Sequence, residues 1–138
     1  MVISLYKKQI IAIKEHLLDI ESIGQGIDYD QFLKDIKIRK AIEWSIVSAV
    51  EGCINLGRQI IAERDLGIAE NNREVFEILL KEGIISNETL DKMKEAIGYR
   101  NMAIHRYSDL DAATTFGIMK RRYHDLELFL SQVLEKLE

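Results

Sequence analysis

Between Arg100 and Tyr107 the chain collects a cation, an amide, an imidazole and a phenol: the stretch reads Arg100-Asn101-Met-Ala-Ile-His105-Arg-Tyr107. Histidine is the side chain whose unperturbed pKa lies near neutrality, so His105 can take or give a proton. Arginine offers a planar fork that matches a phosphate, which suits Arg100 to hold one. Together they fit RNA cleavage without a metal. His105 would act as base on a 2′-hydroxyl or as acid on the leaving 5′-oxygen, and Arg100 would stabilise the charge developing on phosphorus. The product would be a 2′,3′-cyclic phosphate. Asn101, four residues before His105, could orient it or hold a phosphate oxygen. An Arg and a His near a helix C-terminus also complement the helix dipole, so spacing alone leaves a structural reading open.

On a helix at about 100° per residue, with Ile97 at zero, Leu90, Met93 and Ile104 fall within about 40° and form the expected core stripe. Asn101 lies on its edge at about +40°, Arg100 at roughly −60° and Tyr107 at roughly −80°, while His105 falls at roughly +80° on the other flank. Tyr99 and Arg106 should point away from the core. Arg100 and His105 are then about 140° apart and do not easily serve one ligand on a single face. The arginine could reach around, the helix could unwind near its end, or a second copy could face the first across a two-fold axis. The last is favoured, because isologous dimers readily bring the Arg of one chain to the His of the other.

The elements that must carry this segment are helical. Apolar positions Ile3, Ile10, Ile13 or Ile11, Leu17 and Ile20 predict a first helix over 2–22, broken at Gly24 and Gly26. Gly-Gln-Gly has no preceding strand and reads as a plain loop, not a phosphate cradle. Asp28 or Asp30 caps a long helix over 30–65. Its two stripes, one with Phe32, Ile36, Val47, Val50, Ile54 and Ile61 and one with Ile42, Ile46, Ala49, Cys53 and Ile60, should make it central. Glu43 falls inside an apolar stripe and needs a partner if buried. Gly52 and Gly57 would allow close helix approach, and Trp44 reads as packing. A short helix follows over 71–82, capped by Asn71 or Asn72. Another starts at Ser86 or Asn87 and runs to Tyr107. Asp109 or Asp111 caps a last helix to Leu137, with Phe116, Met119, Tyr123, Leu126, Phe129, Leu130, Val133 and Leu137 inward. The expected fold is all-α: a single domain over 1–138, an antiparallel four-helix bundle with an additional short helix.

Composition is consistent with this. The 138 residues contain no proline, 47% hydrophobic and 30% charged side chains. No apolar run approaches the roughly 18 residues of a membrane span, and the N-terminus is too short and polar for a secretory signal. The lone Cys53 excludes an internal disulfide and fits a reducing cytoplasm as a small buried hydrophobe. The net charge of −4 argues against general nucleic-acid coating. Substrate binding would need a local patch, such as Arg100, Arg106, Lys120, Arg121 and Arg122, although the outer face of the last helix explains the last three equally well. His16 and His124 read as surface residues. Asp109 and Asp111 read as helix caps, not metal ligands. No zinc spacing, Walker loop or serine–histidine–acid arrangement is present, so neither metal nor cofactor is expected.

The Arg100-Asn101-x3-His105-x-Tyr107 pattern, with Ser-Asp-Leu-Asp111 after it, resembles the HepT-like toxins of the HEPN superfamily, whose signature is Arg-x4-His-x-Tyr. Val50–Glu63 is similar to the family's second helix and Arg73–Leu79 to its third, so the resemblance spans roughly 5–137. It implies a helical bundle, a homodimer with the motifs at the interface, and metal-independent endoribonuclease activity of a toxin. It also implies an antitoxin partner, a minimal nucleotidyltransferase (MNT) that transfers AMP to the motif tyrosine, here Tyr107. Phosphates added there would crowd Arg100 and put negative charge beside it. Glu51 matches a frequent family acid, and a structural salt bridge is an equal reading. The competing expectation is a non-catalytic helical subunit that binds nucleotide or substrate for a nucleotidyltransferase.

Overall fold

Asp35 decides where the longest helix starts. In a computed structural model, which describes residues 5–137, the Asp35 side chain accepts hydrogen bonds from the backbone N–H of Lys37 at 3.1 Å and Ile38 at 3.2 Å. The expected helix over 30–65 is therefore two, α2 (Tyr29–Lys34) and α3 (Ile36–Glu63), which follow α1 (Lys7–Gly24). A short carboxylate that captures free N–H groups is worth more as a cap than inside a helix, and this local competition breaks the run. Ile36 thereby becomes the first residue of α3 and is exposed, against expectation. Asp28 caps α2 through a reciprocal pair with Gln31, at 2.8 and 2.9 Å. Residues 2–4 of the expected first helix, Ile3 included, lie outside the described residues.

The remaining elements are α4 (Asn72–Lys81), α5 (Asn87–His105), a 3₁₀ turn (Tyr107–Asp109), α6 (Ala112–Gly117), a π segment (Ile118–Arg122) and α7 (Tyr123–Leu137). Asn71, Ser86 and Asp111 cap α4, α5 and α6 through their side chains. No strand occurs among the described residues, and none of the described helices is long and apolar enough to cross a membrane. The fold is all-α. Contacts fix its directions. Ile13 meets Gly52 and His16 meets Trp44, so α1 runs antiparallel to α3. Lys92 pairs with Asp125 and Ser86 with Gln132, so α5 runs antiparallel to α7. Lys120 reaches the Gly24 carbonyl at 2.9 Å, at the far end of α1.

As expected, α3 is central: it packs on α1, α4, α5 and α7 and buries most of both stripes, with Ile36 exposed at its start and Val47 half-buried. Cys53 is fully buried, and burial pushes its thiol up out of the reactive range. Trp44 departs from expectation: it is 63% exposed, and its ring meets that of His16 edge-on, with centroids 5.3 Å apart. Gly57 allows the close approach of α4, since a Cβ there would lie 2.5 Å from Val75 Cγ1. Gly57→Ala should destabilise the fold. Overpacking of about 1–3 kcal/mol outweighs the ~1 kcal/mol by which alanine is the better helix former. Gly98→Ala, where a Cβ meets nothing within 4 Å, should be neutral or stabilising. Urea unfolding of the two variants checks both signs.

Candidate functional site

Because α4 has 10 residues and α5 has 19, joined by a short turn, α4 can cover only the first half of α5. Leu90, Met93 and Ile97 are buried there. Ile104 continues the same stripe past the end of α4 and is 47% exposed, not core as expected. Tyr99, expected to face away, is buried as well. It lies on the opposite side of α5, where α6 covers it, and its hydroxyl sits 2.8 Å from Thr115 Oγ1. Burial pushes the Tyr99 phenol far up, which keeps it neutral. A helix with neighbours on two sides buries two stripes, and a wheel that assumes one core face misses the second.

The exposed second half of α5 carries the polar set. The Arg100 Nε donates to Glu51 on α3, and its Nη1 donates to Asn101 Oδ1 at 2.9 Å. Glu51 thus takes the salt-bridge role, and Asn101 contacts Arg100, not His105. Two acceptors fix the plane of the guanidinium, which is a pre-organised anion fork. The Arg100 side chain is 19% exposed, so it is sheltered yet still reaches the surface. His105 is the last residue of α5 and exposed.

At Arg106 the backbone leaves the helix, with φ −141° and ψ 52°, so α5 ends two residues earlier than expected. Tyr107 follows in the 3₁₀ turn, its ring half exposed and its hydroxyl donating to Glu43 Oε1 at 2.6 Å. Glu43 is buried at 8% exposure, and Tyr107 is the partner that its place in an apolar stripe demanded. The carboxylate beside it is the main reason the Tyr107 phenol titrates above its ordinary value; burial adds to this. Glu43 and Glu51 lie two turns apart on α3, so Tyr107 and Arg100 both reach the same helix in antiparallel order. The carboxylate signal in the sequence found Glu43 but could not say what it would meet. The Tyr99–Thr115 pair had no sequence signal.

Two members of the suggested basic patch are engaged by main-chain carbonyls. The Lys120 ammonium is bound to the Gly24 carbonyl, and Arg122 donates to the Thr114 carbonyl at 3.3 Å. Both groups serve main-chain carbonyls, one at the end of α1 and one within α6. His124 is exposed and close to Glu127 on α7; His16 is half-buried under Trp44. No group of three metal-ligating side chains occurs among the described residues.

Residues 13–133 match the protein family described as "Ribonuclease HepT-like". The chain belongs to that family. The HepT-like assignment covers all of α3, α4, α5 and α6, and with them Arg100, Asn101, His105 and Tyr107. A relative named mRNA nuclease HepT, from Shewanella oneidensis, is 25% identical over 126 residues, 91% of this chain and 92% of its own. Among solved structures, the tri-AMPylated Shewanella oneidensis HEPN toxin in complex with MNT antitoxin superposes with a TM-score of 0.86. It is 24% identical and covers 95% of this chain and 97% of its own. A cytosolic Bacillus subtilis protein of unknown function has a TM-score of 0.83 at 17% identity, covering 98% of this chain and 90% of its own. These two likenesses establish the HepT-like fold; a shared fold does not by itself settle chemistry.

Proposed function

We propose that this chain is the toxin of a toxin–antitoxin pair: a homodimeric endoribonuclease of the cytoplasm that cleaves RNA without a metal. The observation that carries the reading is the end of α5, where a HepT-like chain holds a fixed guanidinium, Arg100, five residues before an exposed imidazole, His105. In the reaction, His105 accepts the proton of a 2′-hydroxyl or returns one to the departing 5′-oxygen. The 2′-oxygen bonds to phosphorus as the 5′-oxygen leaves, so a 2′,3′-cyclic phosphate and a 5′-hydroxyl result. Arg100 binds the phosphate oxygens and stabilises their added charge, with Glu51 and Asn101 keeping its fork in plane. The relative named mRNA nuclease, which overlaps 91% of this chain, supports RNA as the substrate class.

The antitoxin is a minimal nucleotidyltransferase that places AMP on Tyr107. Support comes from the AMPylated HEPN toxin held by an MNT antitoxin and from the half-exposed phenol beside the site. Helix geometry supports a dimer, since Arg100 and His105 are about 140° apart on α5 and do not easily serve one ligand from a single copy. Ile104, exposed between them, supplies an apolar contact for the second copy.

The test is RNA cleavage by the purified, unmodified chain in excess chelator. Cleavage that persists and leaves 2′,3′-cyclic phosphate ends supports the reading. Cleavage only with an added divalent ion, or 3′-hydroxyl ends, overturns the mechanism.

A further inference from the structure

The contact between Tyr107 and Glu43 is built in an unusual way for a surface tyrosine. The ring is half exposed, while the acceptor of its proton is a carboxylate at 8% exposure on the neighbouring helix. A nucleophile held by a base within hydrogen-bond reach is the arrangement that activates a hydroxyl. We infer that Glu43 is the general base for adenylylation of Tyr107, so that this chain, not only its partner, supplies part of the catalytic machinery for its own silencing. This rests on the reading of Tyr107 as the modified residue.

The step balances without any redox partner. ATP, held by the nucleotidyltransferase, presents its α-phosphorus to Tyr107 Oη. The Oη–P bond forms, the bond from that phosphorus to the bridging oxygen breaks, and pyrophosphate leaves with the electron pair. The phenolic proton passes along the existing 2.6 Å hydrogen bond to Glu43 Oε1. Because the proton already points at the carboxylate, the oxygen's lone pairs face away from Glu43, toward an incoming electrophile. The base is needed because the ground-state phenol is held protonated: the same carboxylate raises its pKa, and water at neutral pH would not remove the proton. Among the described residues, the other charged or titratable groups acting on the pair are Arg39, one turn before Glu43 on α3, and Tyr99 on α5, itself tied to Thr115 of α6. Arg39 is positive and Tyr99 neutral, so the carboxylate is the one group there able to accept the proton.

The experiment follows AMP addition to the full chain by intact mass, with its partner nucleotidyltransferase and ATP, and maps the modified peptide. Glu43→Gln keeps an acceptor for the Tyr107 hydroxyl but cannot take its proton. Its labelling rate should fall by about 10²-fold or more at neutral pH. The deficit should shrink as pH rises toward the phenol's own ionisation, because hydroxide then does the work of the missing base. A purely structural role would not produce that convergence. Glu43→Asp, which retains a carboxylate set back by one methylene, should recover part of the rate. Circular dichroism and thermal unfolding verify that each variant is folded. Glu43→Gln labelled at the wild-type rate, or a deficit constant across pH, overturns the inference while leaving Tyr107 as the acceptor. Label that maps elsewhere, or that survives in Tyr107→Phe, overturns the underlying reading of Tyr107 and this inference with it.

Discussion

Replacing His105 with alanine should lower RNA cleavage by about 10²- to 10⁴-fold, the usual contribution of a positioned acid or base. The fold should be unaffected. His105 is exposed at the last position of α5, and alanine is the better helix former. The most that is lost there is a dipole interaction of about 0.3–1 kcal/mol, and only when the imidazole is charged. The measurement is initial cleavage rate on a defined RNA, with substrate affinity taken separately. The loss should fall on the chemical step, not on binding. In cells, the same substitution should abolish the growth arrest caused by expressing the chain without its antitoxin. A His105→Ala chain that cleaves at the wild-type rate would remove the imidazole from the mechanism.

The second large effect concerns Arg100 and shows where the site is assembled. Arg100→Ala should cost about 10²- to 10³-fold, as for loss of one donor to a developing oxyanion. Arg100→Lys should resemble alanine more than the wild type, because an ammonium cannot reproduce a fork held by Glu51 on one edge and Asn101 on the other. Mixing the two inactive chains, His105→Ala and Arg100→Ala, gives the decisive outcome. If the arginine of one copy works with the histidine of the other, each mixed dimer regains one complete site and keeps one that lacks both groups. With random pairing, half the dimers are mixed and one of their two sites is intact. Activity should therefore return to about a quarter of the wild type. Ile104→Asp, which puts a charge on the exposed apolar end of the α5 stripe, should reduce both the mass in solution and the activity. Mixed dimers that form, as shown by mass, yet stay inactive would show that Arg100 and His105 do not work across the interface and would overturn the shared site.

Much of the scaffold is local information. Capping side chains at Asp28, Asn71, Ser86 and Asp111 mark helix starts because a short oxygen-bearing side chain satisfies free N–H groups within three residues of itself. The twin stripes of α3 and the heptad of α7 mark core faces because burial follows helical period. One departure is local: Asp35 could have sat inside a helix or capped one. Others arose where neighbours at long range decided. The π segment at Ile118–Arg122 leaves the register of the last helix readable but not its local geometry. Ile104 and Tyr99 exchanged their expected environments because the length of α4 and the position of α6 determine which sides of α5 are covered.

The site divides in the same way. Residue types and spacing along one segment were enough to bring Arg100, Asn101, His105 and Tyr107 forward, since the chemistry of a side chain is intrinsic to it. What each one touches was not readable. Glu51 on Arg100 and Glu43 on Tyr107 are contacts across 49 and 64 residues of chain. They exist because α3 and α5 pack antiparallel, and helix packing is set by the summed shapes of many apolar side chains, not by any motif. The sequence alone thus determined which groups could do chemistry. Tertiary packing decided which of them are paired, sheltered or left facing solvent.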